Sequence, residues 1–334
     1  MSKLYRYKES FKKFIKKRSC LLDKENMPNL LIHTIVYNYV MKNDYIFAIS
    51  LLTIMNNRNK KNNISLQGYF ASAGIEFLFV MLHIMNNKSS FIKEYDIDIY
   101  NTTINYIILC FNKSIAQNIN SIKTNIRNED IKYKTSDIFA QMLLLCSDKL
   151  SYSNIMNEHI FEYNSRGPAS DILDWYLNDN EEAIKEFSKI KQINEESMDE
   201  YINKKIGSLC EMAFCLGWLM GYGDKKHIKK IKKISHNFVM IYKISNDYVN
   251  IEKDILDNNG YTLNYVVNYG LQRSYDIYMD NKQQFMEGVM TLDLDLDLYT
   301  DTIKEILNFL DKQINDVIDQ TSPDLRSNYS NVQE

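Results

Sequence analysis

An all-α fold is what this sequence predicts, and three observations predict it. Only ten Gly and three Pro are spread over 334 residues, too few for the turns that a sheet of hairpins needs. Apolar residues run instead through long unpunctuated stretches, some apolar nearly all round, as in central helices. The single segment of period two, Leu292-Asp-Leu-Asp-Leu-Asp-Leu298, is expected as an acidic loop or short extended piece near the surface.

Taken in order, helices are expected over about 27–42, with Pro28 at the start, then 44–56 and 64–86. The polar loop Asn56-Asn-Arg-Asn-Lys-Lys-Asn-Asn63 should separate the last two. Ser65 to Met85 carries Gly68, Ala71, Ala73 and Gly74, small residues that allow close helix approach. Further helices are expected over 99–120 and 136–150. A turn at Arg166-Gly-Pro168 precedes a helix start at Asp171-Ile-Leu-Asp174. The polar span 178–200 reads as a solvent-covered helix and loop. From Lys204 to Gly221, small residues at 207, 213, 217 and 221 line roughly one helical side, either for packing or for ligand room. The run Asp224 to Lys233 alternates Lys with Ile at three-residue steps, the pattern of an amphipathic surface helix.

The composition sets bounds on function. With 45% hydrophobic residues a substantial core is available, and the chain reads as one helical domain over 1–334, with 1–20 and 322–334 peripheral or mobile. A net charge of −3 gives no reason to expect nucleic acid. The five cysteines, Cys20, Cys110, Cys146, Cys210 and Cys215, are odd in number and mostly sit in apolar runs, as reduced thiols of a cytoplasmic protein do. No unbroken apolar run reaches the eighteen or so residues of a membrane span. The basic start, Lys3 to Arg18, lacks the apolar region of a secretory signal.

The chemistry is carried by Lys243-Ile-Ser-Asn246-Asp247-Tyr-Val-Asn250-Ile-Glu-Lys253-Asp254. Asn246, Asn250 and Asp254 are spaced four apart and stack on one helical face, flanked by Lys243 and Asp247. Three aligned oxygens suit a hard cation such as Mg²⁺ shared with a phosphate; a solvated face has the same spacing.

Four stretches in order resemble the trans-polyprenyl synthase and class I terpene synthase superfamily, viral-type terpene synthases included. Lys205-Ile-Gly207-Ser-Leu-Cys-Glu-Met-Ala213-Phe-Cys-Leu-Gly217 is similar to the family helix Lys-Thr-Ala/Gly-x-Leu-Phe-x-x-Ala-x-x-Leu-Gly. Tyr242 to Asn250 stands where the family has Phe-Gln-x-x-Asp-Asp-x-x-Asp. Asn259-Gly260-Tyr-Thr262-Leu263-Asn264 resembles Gly-Lys-x-Thr-Leu-Pro, and Ala71-Ser-Ala73-Gly-Ile-Glu76 resembles the helix before the first Asp-rich motif. The resemblance implies a single helical bundle around a deep apolar pocket, a prenyl diphosphate at its mouth, Mg²⁺ as cofactor, and pairing into a homodimer.

Departures from the family pattern narrow the reading. The first Asp-rich motif is replaced by Asn86-Asn87-Lys88-Ser-Ser90, without a carboxylate; Asp96 and Asp98 would serve only after a register shift. Asn246, Asn250 and Asp254 are closer to the terpene cyclase triad Asn-x3-Ser/Thr-x3-Glu. The basic element that holds a second, homoallylic substrate has no counterpart. The resemblance therefore implies a cyclase acting on one allylic diphosphate, farnesyl diphosphate by pocket size, with a silent subunit or an unusual prenyl synthase as alternatives. Asn246, Asn250 and Asp254 would hold metal. Lys205, Lys243, Lys88, Asp174, Arg326 and Tyr329 would contact diphosphate, the lysines reducing or dispensing with metal. Phe79, Leu82, Tyr242 and Gly207 would line the pocket, with Met81 and Leu82 setting its depth.

Overall fold

The computed structural model describes residues 2–19, 30–62, 68–125, 129–151, 154–155, 195–256, 263–290 and 298–321. Asp174, Arg326, Tyr329, the turn at 166–168 and nearly all of the alternating piece at 292–298 lie outside the described residues. The described residues form fourteen helices and one 3₁₀ turn, with no strand among them. In chain order they are α1 (Lys3–Arg18), α2 (Leu30–Lys42), α3 (Ile46–Asn62), α4 (Tyr69–Asn86), α5 (Lys88–Tyr95), α6 (Ile97–Asn125) and α7 (Glu129–Lys149). After these come α8 (Glu195–Lys204), α9 (Ile206–Met220), the 3₁₀ turn Lys225–His227, α10 (Ile228–Val249), α11 (Ile251–Leu256), α12 (Tyr265–Tyr269), α13 (Leu271–Met290) and α14 (Asp301–Thr321).

The most apolar helices sit at the centre. α4 packs on α3, α6 and α9, and α9 packs in turn on α3 and α10, whose other sides meet α13 and α14. Every residue of α4 from Ala71 to Leu78 is buried. By mean hydropathy, 1.3 over its 18 residues, α4 is long and apolar enough to cross a membrane, which counting unbroken apolar residues misses. Here that apolarity faces the surrounding helices.

The small residues of α9 serve helix packing. A Cβ on Gly217 would lie 2.8 Å from the Leu51 carbonyl oxygen of α3, so backbone meets backbone there. Gly207, expected to open the pocket, packs against its own chain: a Cβ would lie 3.0 Å from the Ile202 carbonyl oxygen.

Of the element boundaries that differ from expectation, two show their physical setting. The polar stretch after Asn56 continues α3 as far as Asn62, because its side chains find partners. Asn56 donates to the Tyr7 hydroxyl at 3.1 Å, and the Arg58 guanidinium stacks over Trp218 at 4.4 Å. The motif-bearing helix is also interrupted. α10 ends at Val249, Asn250 is its C-cap with φ −104°, and α11 resumes at Ile251. Asp254 N–H still donates to the Asn250 carbonyl at 2.9 Å, so the four-residue register persists through the kink.

Candidate functional site

One end of the bundle gathers the last residues of α2 and α4, the α8–α9 junction, the α10–α11 junction and the start of α12. Together they surround a cleft of about 590 Å³. Its apolar lining is Phe79, Leu82, Tyr242, Ile206 and Leu263. Beneath, the rings of Phe47 and Tyr242 meet edge to face at 4.8 Å, with Phe79 at 6.0 Å from Phe47 and 6.5 Å from Tyr242. The rim is charged, carrying Lys42, Lys205, Lys243 and Lys253 against Asp44, Asp247 and Asp254.

The four-residue spacing of Lys243 and Asp247 brings their side chains together, as it does on any helix. The ammonium bridges both carboxylate oxygens of Asp247 and donates to the Leu263 carbonyl at 2.7 Å. Asp247 also accepts the Tyr265 N–H at 2.7 Å. Burial pushes its carboxyl up to about 6, although Lys243 pulls the other way. Asn264 links the halves of the kink. Its amide donates to the Asp247 carbonyl and to Asp254 Oδ2, both at 2.8 Å, while its Oδ1 accepts the Val267 N–H at 3.0 Å as the N-cap of α12.

Lys205 occupies the break between α8 and α9, 6% exposed, and its ammonium donates to the Ile155 carbonyl at 2.8 Å. Behind the cleft-lining Asn43, Glu76 of α4 is buried and accepts the Asn43 amide at 3.1 Å. Burial raises its carboxyl to about 7, against the hydrogen bonds from Asn43 and the Ala48 backbone. Tyr45, at φ 60°, makes the tight turn after α2 that carries Asn43 over this acid.

Lys205, Lys243, Asn246, Asn250, Asp254, Tyr242, Phe79, Leu82, Asn86 and Asn87 thus line one cleft. Other expected residues lie elsewhere. Lys88 is exposed on α5, its ammonium 5.4 Å from the Tyr100 ring centroid, and Ser90 is exposed on the same short helix. Met81 is buried in the core and is not among the cleft-lining residues; Phe79 and Leu82 of the same turn of α4 line the cleft instead. Asp96 caps α6, its Oδ1 accepting the Ile99 N–H at 2.8 Å, and neither it nor exposed Asp98 is among the cleft-lining residues. Sequence reasoning missed Lys42, Asp44, His83 and Asn264 as cleft residues. Only Asn264 carried a signal, as a cap-forming residue before an apolar run.

The donor set fits a divalent cation poorly. Mg²⁺ asks for near-octahedral oxygen ligands, whereas the row offers one carboxylate, Asp254, already accepting from Asn264. The Asn250 amide nitrogen turns back to the Asn246 carbonyl at 2.8 Å. Among the described residues, no group of three or more His, Cys, Asp or Glu is placed to hold a metal ion.

The sequence matches no protein-family profile and no curated protein. Solved structures do match. A geranyltransferase from Helicobacter pylori superposes with a TM-score of 0.62 at 14% identity, over 92% of this chain and 96% of that one. The fold is the isoprenoid-synthase helical bundle. A geranyltranstransferase from Thermotoga maritima gives 0.53 at 14% identity over 93% and 99%, and an FPP/GFPP synthase from Zymomonas mobilis 0.55 at 10% over 89% and 97%. At such identities the likeness is one of fold.

Proposed function

We propose that the cleft takes the diphosphate end of an allylic prenyl diphosphate, and that the chain is an enzyme of the class I terpene synthase type. On this reading it ionises one substrate, farnesyl diphosphate, and releases diphosphate with a sesquiterpene or its alcohol. The observation that carries the reading is convergence. Lys205 at the α8–α9 break and Lys243, Asn246, Asn250 and Asp254 along α10 and α11 come together around one cleft above an aromatic floor.

The chemistry follows from that arrangement. The C–O bond to diphosphate breaks and the electron pair leaves with the diphosphate, which departs readily only if its developing charge is met. Lys42, Lys205, Lys243 and Lys253 are the cations at the rim, and ammonium groups hold phosphate oxygens as point charges. The allylic cation left behind needs a dry cavity with aromatic faces, the role given to Phe79 and Tyr242. Any Mg²⁺ would have to rely on Asn246, Asn250 and Asp254, and would add positive charge beside the diphosphate. The same reading makes residues 1–334 one cytoplasmic domain and pairs two copies. Exposed Leu109 on α6 and Leu143 and Leu144 on α7 offer apolar surface for that pairing.

Two other readings have their own support. A silent subunit of a heteromeric synthase is favoured by the engagement of Lys243 with Asp247 and by the acid-free Asn86, Asn87 and Ser90. Chain elongation is favoured by what the solved structures of this fold are called, geranyltransferases and farnesyl diphosphate synthases. Purified chain is incubated alone with geranyl, farnesyl and geranylgeranyl diphosphate, with and without isopentenyl diphosphate, with Mg²⁺ or chelator, and volatiles and longer diphosphates are analysed. Hydrocarbon or alcohol without isopentenyl diphosphate supports the proposal. Elongated diphosphate replaces it with the synthase reading, and absence of any product with retained diphosphate binding replaces it with the silent subunit.

A further inference from the structure

The N-terminal helix carries a charge that the cleft does not use. α1 holds Lys3, Arg6, Lys8, Lys12, Lys13, Lys16, Lys17 and Arg18 against the single acid Glu9, in a chain whose net charge is −3. Everything outside this helix is therefore net acidic. Its inner face is fixed to the bundle: Phe11 and Ile15 are fully buried, and Phe14 packs on Tyr69 and Phe70 at 5.3 and 5.0 Å. Lys3 pairs with Asp301, and Lys8 with Asp44 at 2.7 Å.

The other six cations behave differently. Among the described residues, no carboxylate lies within ion-pair distance of Arg6, Lys12, Lys13, Lys16, Lys17 or Arg18. Arg6, Lys13 and Lys17 fall on one line along the helix, with Lys16 beside them, and all four are exposed. The stripe is about 17 Å long, from the rise per residue. Tyr5, 47% exposed, lies on the same outward half. Favourable interaction with the helix C-terminus accounts for Lys16, Lys17 and Arg18, but not for Arg6, Lys12 and Lys13 further up.

We propose that the outer face of α1 docks the protein on an anionic phospholipid surface. A row of basic side chains with an exposed interfacial aromatic suits such a surface, where each nearby Lys or Arg strengthens partitioning about fivefold. A nucleic acid is disfavoured. The stripe is short and convex, and a longer polyanion would run past it onto net-acidic protein. The inference goes beyond the cleft and stands whether or not the cleft turns over a prenyl diphosphate.

Full-length protein is sedimented with vesicles of phosphatidylcholine alone or mixed with phosphatidylserine, at low salt and at about 0.3 M salt, where screening is strong. Binding is expected only to the mixed vesicles at low salt. The variant R6Q/K13Q/K16Q/K17Q, altered at exposed positions only, should fold as the wild type by circular dichroism and lose about 600-fold in partitioning, fivefold for each charge. The variant K229Q/K230Q/K233Q, exposed cations of α10, should bind as the wild type does. Equal binding to neutral vesicles, no binding to the mixed ones, equal loss in both variants, or tighter binding to duplex DNA than to the mixed vesicles at the same salt would each overturn the proposal.

Discussion

Glu76→Gln tests the electrostatics of the buried acid behind Asn43. The Glu76 carboxyl is buried, its named partners are the Asn43 amide and the Ala48 backbone, and its ordinary value of 4.5 is raised to about 7. Asp44, on the other side of Asn43, adds to the shift. Between pH 4.5 and 7 the unfolded chain releases this proton while the folded chain keeps it. The unfolded state then binds fewer protons, so stability falls as pH rises through that window and is level on either side. Two and a half units at 1.36 kcal/mol each give about 3 kcal/mol. Glutamine cannot ionise, yet its carbonyl oxygen can still accept from Asn43. Urea unfolding of both proteins from pH 4 to 8.5, followed by circular dichroism, yields their difference in stability, in which titrations common to both cancel. The difference should move by about 3 kcal/mol in favour of the variant as pH rises from 4.5 to 7, then stay constant. A difference independent of pH would refute the reasoning, and one moving the opposite way would mean that the hydrogen bonds outweigh burial.

Three further outcomes follow from the same geometry. Lys243→Met and Asp247→Asn should couple by about 2 kcal/mol in a double-mutant cycle at pH 7.5, measured by urea unfolding; the coupling should shrink below pH 6 as the Asp247 carboxyl takes its proton, and strict additivity at pH 7.5 would exclude a real pair. Asn264→Ala removes a helix cap together with the links to Asp247 and Asp254, and should cost about 2 kcal/mol, with faster amide exchange in α12 as a second readout. Gly217→Ala forces α9 away from the Leu51 backbone and should cost about 1–3 kcal/mol, whereas Gly74→Ala, whose Cβ would meet only the Phe111 ring at 3.1 Å, should cost less by the same unfolding assay.

Legibility from sequence followed the range of the forces involved. The all-α fold was legible because helix-breaking residues are rare and the apolar stretches of α4 and α9 are long. The placement of Tyr242, Asn246, Asn250 and Asp254 along one side of the cleft was legible because their four-residue spacing puts them on one helical face, whereas Lys205 came only from the resemblance of its helix to the family motif. What failed was local. Polarity after Asn56 suggested a loop, yet Arg58 lies over Trp218 and the helix runs on, a contact with a residue 160 positions away in the chain that no local pattern reveals. Gly207 and Gly217 looked alike in sequence, but one faces its own preceding turn and the other a neighbouring helix. Lys88 follows Asn86 and Asn87 directly, yet the chain leaves α4 at Asn87 and begins α5, which turns Lys88 to solvent.

The changes at 86–90 and at 243 make physical sense together. Acids facing each other across a cleft repel unless cations lie between them, so a bundle that keeps both sets depends on metal for that balance. Here the first set is absent, and the buried acid of the second, Asp247, is met by Lys243 four residues earlier and by the Tyr265 N–H. The charge of Asp247 is therefore met within the chain. Adding Mg²⁺ or a chelator without diphosphate should leave the thermal midpoint unchanged. Inorganic diphosphate should raise it by a similar amount in chelator and in Mg²⁺, because the rim lysines and not a metal supply the positive charge. A shift with diphosphate that appears only when Mg²⁺ is present would show that Asn246, Asn250 and Asp254 hold a cation after all, and would move the charge balance of the cleft from the lysines to the metal.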